Sequence, residues 1–61
     1  MTYESEMADS YRSRAKQLRI IADADREPKT AGALRAVAAD YDQMAANLDQ
    51  IDQTNRATRK L

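Results

Sequence analysis

Residues 34–51 read LRAVAADYDQMAANLDQI, and this stretch decides the fold of the chain. Its apolar residues recur every three or four positions, which predicts one face of an α-helix that continues for about five turns. They are Leu34, Val37, Ala38, Tyr41, Met44, Ala45, Leu48 and Ile51. An earlier stretch has the same spacing over Tyr11, Ala15, Leu18 and Ile21. The pattern therefore predicts an all-α chain with two amphipathic helices.

The connection between the two helices is predicted at Asp25-Arg26-Glu27-Pro28. Proline disfavours helical geometry at the residue before it and suits the first turn of a new helix. We therefore expect a first helix over about residues 3–26, a turn over about 25–28 and a second helix over about 28–55. A frayed basic tail is expected over 56–61, and residues 1–61 are expected to form a single domain.

Two helices with a short connection fold back antiparallel, so the sequence predicts a helical hairpin. With heptad letters that place Tyr11 and Tyr41 at position a, alanine falls at position e every seven residues on both helices. A bend at the predicted turn pairs Ala8 with Ala45, Ala15 with Ala38, and Ala22 with Ala31. Intrachain packing is expected for these alanines and for Met7, Tyr11, Leu18, Ile21, Leu34, Val37, Tyr41 and Met44.

The small size of the chain predicts association. In a domain of 61 residues, the burial of apolar surface barely offsets the entropy cost of folding. Small folds are usually stabilised by disulfides, a metal ion or a partner chain. With no Cys and no His, disulfides are excluded and a zinc site is not expected. We therefore expect a homodimer in which two hairpins form a four-helix bundle.

The C-terminal part of the second helix also predicts association with another chain. By the same pairing, Leu48 faces Glu4 and Ile51 faces the start of the chain, so the first helix offers no apolar match there. The predicted oligomer interface consists of Tyr3, Arg14, Tyr41, Met44, Leu48 and Ile51.

Arg14 occupies position d, where the pattern asks for an apolar residue. A buried guanidinium without a partner is very costly. Arg14 therefore either extends its charged head into water or pairs with Asp40 or Asp42, on its own chain or on a second copy. Because polar residues at such positions can fix register and oligomer state, we hypothesise that Arg14 specifies the bundle.

The second helix also has an uncharged stripe opposite its apolar face. We call it the back stripe; its members are Gly32, Ala36, Ala39, Gln43 and Ala46. One interpretation is that alanine is simply the best helix former. The other is that the second helix contacts two neighbours. The sequence leaves both open.

The composition of the chain disfavours an enzyme, a metal-binding protein and a membrane protein. The chain has no His or Cys to build a nucleophile with its base, and no catalytic residue, cofactor or metal site is predicted. The carboxylates Asp23, Asp25 and Glu27 lack the ligand loop of a calcium site. Residues 1–7 are polar and acidic, and no apolar run reaches membrane-spanning length, so a cytoplasmic protein without membrane contact is expected.

These features predict a non-enzymatic protein-interaction or regulatory module whose protein partner is unidentified. The alternative is a dimeric accessory protein that binds RNA or DNA through a basic face of the first helix, formed by Arg12, Lys16 and Arg19. The balance of ten basic against ten acidic residues disfavours this alternative. Within one hairpin, Asp42 is the acid expected to align with Arg12.

Two motifs resemble those of a group of short uncharacterised bacterial helical-hairpin proteins. The motifs are Tyr11-Arg12-x-Arg14-Ala15 and Ala38-x-x-Tyr41-x-x-Met44-Ala45. The resemblance covers about residues 8–50 and implies a helical hairpin with no known activity. That group has Asp-Pro at the turn where this chain has Glu27-Pro28. In architecture alone, the predicted dimer also resembles a small plasmid copy-number regulator that binds RNA hairpins.

Overall fold

The fold is an antiparallel helical hairpin. A computed structural model describes residues 2–59 of the chain, and their side chains through residue 58. Helix α1 spans Tyr3–Ala24, helix α2 spans Pro28–Arg59, and the two pack against each other. The predicted all-α architecture with two packed helices is confirmed.

Both helices begin at a residue that caps them. The Thr2 hydroxyl accepts the Ser5 N–H at 3.0 Å, so Thr2 is the N-cap of α1. At the start of α2, the Glu27 carbonyl accepts the Ala31 N–H at 2.9 Å. The Glu27 side chain also accepts the Lys29 N–H at 3.4 Å. These bonds satisfy donors that a helix N-terminus otherwise leaves without partners.

Helix α1 ends at Ala24 rather than near residue 26. Asp25 is extended, with φ −81° and ψ 131°, and its N–H bonds the Ala22 carbonyl at 3.2 Å. The Asp25 carboxylate accepts the Glu27 N–H at 2.9 Å. This local bond gives the backbone an alternative to the helical hydrogen-bond pattern, so Asp25 ends the helix.

Helix α2 continues to Arg59 rather than ending near residue 55. The chain has no glycine or proline after Asn55 to stop it. The Thr54 and Thr58 hydroxyls donate to the carbonyls four residues earlier, at 2.9 and 3.0 Å, and so avoid competing for the helical N–H groups. The end of the predicted tail, residues 60–61, lies outside the described residues.

Alanines form the centre of the hairpin, which we call the alanine seam. Its members are Ala8, Ala15, Ala22, Ala31, Ala38 and Ala45, each at most 5% exposed. All six occupy position e, as the sequence predicts, and no larger apolar side chain within residues 2–58 is buried to this extent. Small residues at every contact allow the two backbones to approach closely.

Burial changes in regular steps away from the alanine seam. The residues at position a are half-buried; they are Tyr11, Leu18, Leu34, Tyr41 and Leu48. At position d, Met7 is half-buried, whereas Ile21, Val37, Met44 and Ile51 are exposed. The sequence placed Ile21, Val37 and Met44 in the intrachain packing. Because the alanine seam is centred on position e, position d points out of the plane of the two helices, and the hairpin does not bury these side chains.

The molecule is a thin, elongated plate. Its principal extents are 53 × 16 × 10 Å, and its radius of gyration is 14.8 Å. A compact chain of this length would have a radius of gyration of about 10 Å. Its accessible surface is 4784 Å², against about 4,000 Å² for a compact monomer of 6.9 kDa. The hairpin therefore lacks the interior that a globular domain of its mass would have.

Gly32 has no structural role within the hairpin. A Cβ added there would meet nothing within 4 Å, and the residue lies inside α2. Gly32→Ala is therefore expected to raise the free energy of unfolding by roughly 0.5–1 kcal/mol, measured by thermal or urea denaturation. The reverse change at the exposed neighbour, Ala33→Gly, should lower it by a similar amount. A loss of stability or of association in Gly32→Ala would show that the back stripe packs against something.

Candidate interaction surface

One broad surface of the hairpin is apolar, and we call it the apolar face. It consists of the residues at positions a and d of both helices. The Tyr11 and Tyr41 rings stack at its middle, with centroids 5.6 Å apart and planes inclined by 29°. This contact joins α1 to α2 beside the alanine seam. Val37 and Ile51 are 44% and 49% exposed, so the apolar face presents large aliphatic groups to water.

The apolar face is concave at its open end, away from the turn. A shallow depression of about 240 Å³ lies between the helices there; Met7, Tyr11, Met44, Asn47, Leu48 and Ile51 line it. A second depression of about 330 Å³ follows α2 alone, and its lining residues are Asn47, Gln50, Ile51, Thr54 and Asn55. Both are grooves between side chains on an open surface. Such open grooves can accept a side chain of a partner protein, but they do not enclose a small-molecule ligand.

Ion pairs line the opposite edge of the hairpin, which we call the charged edge. Arg19 bonds Asp42 at 2.6 Å, and Arg35 bonds Asp23 at 2.9 Å. Arg12 meets an acid on each helix, because it bonds Asp49 of α2 and lies 3.6 Å from Asp9 of α1. The hydrogen bond from Asp49 raises the pKa of the Arg12 guanidinium above its usual value, and partial burial opposes the rise. These exposed pairs join α1 to α2 on the side away from the apolar face, and each contributes little to stability because water screens exposed charges.

The partners on the charged edge differ from the expected alignment. The sequence aligned Arg12 with Asp42, but Arg12 pairs with Asp49, and Asp42 pairs with Arg19. Helical side chains lean toward the N-terminus of their own helix. In an antiparallel pair, the arginines of α1 therefore lean toward the open end and the aspartates of α2 lean toward the turn. Each of these two arginines therefore bonds an aspartate that lies closer to the open end than the α2 residue directly opposite the arginine.

The predicted nucleic-acid residues do not form a free basic surface. Arg12 and Arg19 both bond carboxylates of α2. Lys16 is exposed, and within residues 2–58 no carboxylate lies at ion-pair distance from it. A protein that binds RNA or DNA needs cationic side chains that are free to contact the phosphates and displace their counterions. The pairing of the two arginines therefore counts against this interpretation.

The predicted interface residues lie on or beside the apolar face. Tyr3 is 71% exposed, Met44 and Ile51 are exposed, and Tyr41 and Leu48 are half-buried. Arg14 is exposed as well. In the part of the chain that the structure describes, Arg14 pairs with neither Asp40 nor Asp42. Within one hairpin, Arg14 therefore does not bond either of the two acids predicted as its partners.

Comparison with known proteins identifies no relative. No protein-family model matches the chain, and no significant match is found among curated proteins or among solved structures. The resemblance to the bacterial hairpin group stays a prediction. A function for this chain therefore has to follow from its apolar face and its charged edge.

Asp52 is a buried residue that the sequence reasoning missed. It is 8% exposed, and its carboxylate lies 3.1 Å from Arg56, one turn later on α2. The spacing of seven residues from Ala31 through Ala38 and Ala45 leads directly to residue 52, so the alanine periodicity contains the signal. Asp52 therefore extends the line of the alanine seam with a charged residue that is paired within its own helix.

Residues 2–59 contain neither a membrane-spanning helix nor a metal-binding cluster. Over residues 2–59, no helix combines the length and apolar character needed to cross a membrane. The same residues contain no group of three or more acidic side chains arranged to hold a metal ion.

Proposed function

We propose that this chain is a non-enzymatic protein-interaction or regulatory module that acts as a homodimer. Two hairpins pack through their apolar faces into an antiparallel four-helix bundle. The observation that supports the proposal is the row of exposed aliphatic residues beside a fully buried alanine seam. A monomer gains nothing from large apolar groups at every seventh position if they stay in water.

The energetics of the apolar face favour association. Complete burial of one large aliphatic side chain contributes about 1.5–3 kcal/mol. Ile21, Val37, Met44 and Ile51 are at present exposed, and each would count twice in a symmetric dimer. Even partial burial of these eight side chains is comparable with the cost of association, about 4–15 kcal/mol.

The surface area gives a second, independent argument. The chain exposes about 800 Å² more than a compact monomer of its mass would expose. A standard protein–protein interface buries about 800 Å² on each partner. Contact through the apolar face would therefore bring the exposed area into the ordinary range.

A second copy is the partner that best fits the pattern. Both helices present apolar residues at positions a and d, which is the repeat that packs helices side by side in bundles. A chain with ten basic and ten acidic residues has no net charge to repel its own copy. Ile21, Val37, Met44 and Ile51 lie on the apolar face, which is a broad side of the plate where two copies can overlap, whereas the exposed Ile20 is at position c and lies outside that face.

Sedimentation equilibrium across a wide range of concentrations tests the proposal. The measured mass should rise from 6.9 kDa to twice that value as the concentration increases. Circular dichroism at the same concentrations should show helix content increasing with the dimer fraction. A folded chain that stays at the monomer mass at every concentration would contradict the proposal.

A further inference from the structure

We infer that, in the dimer, α1 of each copy packs on α2 of the partner, with both turns at the same end, and that Arg14 pairs with Asp40 of the partner subunit. This inference rests on the proposed homodimer. It concerns which of two arrangements the apolar faces adopt. Both arrangements bury the same faces, so burial of apolar area alone does not decide between them.

The two arrangements follow from the symmetry of a face-to-face dimer. A two-fold axis between the faces can run along the helices or across them. An axis along the helices places α1 on α2 of the partner and brings both turns to one end. An axis across the helices places α1 on α1 of the partner and sends the turns to opposite ends.

Arg14 opposes the arrangement with turns at opposite ends. It is the middle residue of the d row of α1, between Met7 and Ile21. When the d rows of the two α1 helices pack in register, with Met7 on Ile21 of the partner subunit, the axis across the helices passes close to Arg14. Each Arg14 would then meet its own copy between two apolar faces. Like charges placed together in a desolvated contact are strongly unfavourable.

The other arrangement gives Arg14 an acid. The stacked rings of Tyr11 and Tyr41 fix the levels of the two helices relative to each other. Arg14 lies three residues toward the turn from Tyr11, so it is level with Ala38. Asp40 is within one turn of that level, is exposed, and has no ion pair among residues 2–58. With the axis along the helices, Arg14 of each copy lies near Asp40 of the partner subunit.

The open end of the apolar face supports the same arrangement. Tyr3 is the most exposed large apolar residue among residues 2–58, and Ile51 is exposed at the same end of the hairpin. With both turns together, the open ends also meet, and Tyr3 of one copy comes level with Ile51 of the partner subunit. The depressions around Ile51 offer room for an aromatic ring. With turns at opposite ends, Tyr3 would instead lie beside the polar turn residues Asp25, Arg26 and Glu27 of the partner subunit and would not meet Ile51.

A distance measurement separates the two arrangements. The chain has no cysteine, so Arg26→Cys provides a single site for a spin label in the exposed turn. Pulsed electron paramagnetic resonance on the labelled dimer should give a distance below about 30 Å, because neighbouring helices in a bundle lie about 8–10 Å apart. A distance of about 35 Å or more, which a rise of about 1.5 Å per residue gives for turns at opposite ends, would overturn the inference and leave the homodimer proposal standing. A labelled chain that stays monomeric would contradict both.

Charge reversal tests the pair itself. Arg14→Asp and Asp40→Arg should each weaken dimerisation about tenfold or more, and the double variant should restore most of the affinity. Lys16→Asp is the matched control, because Lys16 lies on the same helix away from the apolar face, and it should leave the dissociation constant nearly unchanged. Circular dichroism checks that each variant is helical. Single variants without effect, or a double variant that is no tighter than either, would overturn the assigned pair.

Discussion

Replacement of Ala38 by leucine is expected to lower the free energy of unfolding by about 1–3 kcal/mol. Ala38 is fully buried, and it lies in the alanine seam, where small side chains set the spacing of the two backbones. A leucine there must either push the helices apart or adopt a strained rotamer. A chain of 61 residues has a total stability of only about 3–9 kcal/mol, so the change is large. Urea denaturation followed by circular dichroism measures it.

The next residue provides the control for this prediction. Ala39 is exposed on the back stripe, and Ala39→Leu should change the free energy of unfolding by no more than about 0.5 kcal/mol. Both variants add the same side chain to the same helix, so helix propensity cancels between them. Equal effects at the two positions would mean that the alanine seam is not the tight contact between the helices.

The helices and the alanine seam could be predicted because their signals are local and periodic. Pro28 marks the start of the second helix, and the spacing of seven between alanines marks the contact on each helix. The antiparallel pairing then follows from the short turn. The observed helix bounds differ from the approximate predicted ones at two places, and side-chain hydrogen bonds lie at both. Asp25 ends α1 early, and the threonine hydroxyls near the end of α2 bond back into a helix that continues.

The apolar face could be predicted only in part. The pattern shows that positions a, d and e are apolar, but it does not show which of them the partner helix covers. Close contact through alanine at e leaves Val37 and Met44 at d in solvent, although both were expected to pack within the chain. The partners of Arg12 and Arg19 were missed for a related reason. Ion pairs across two helices depend on the lean of long side chains as well as on the level of each residue.

The proposed dimer makes Val37 the residue of greatest consequence for association. Val37 is 44% exposed in the hairpin, so the hairpin itself should tolerate a polar side chain there. In the dimer, an aspartate would replace a buried valine with a charge, once on each copy. The dimer can bury only the part of Val37 that the hairpin leaves exposed, so the loss of this burial on two copies is worth roughly 1.5 kcal/mol, or about tenfold in the dissociation constant, and the cost of desolvating two aspartates adds to it. Val37→Asp is therefore expected to weaken dimerisation by about a hundredfold or more.

Sedimentation equilibrium of two matched variants, Val37→Asp and Ala39→Asp, shows which face of α2 the second copy covers. Ala39 is two residues away on the back stripe, and aspartate there should leave the dissociation constant close to that of the unaltered chain. The opposite result, with Ala39→Asp monomeric and Val37→Asp dimeric, would move the interface to the back stripe. Dimers of unchanged affinity from both variants would contradict a bundle built on the apolar face. Three consecutive residues, 37–39, thus test the apolar face, the alanine seam and the back stripe separately, because each points in a different direction from the same turn of α2.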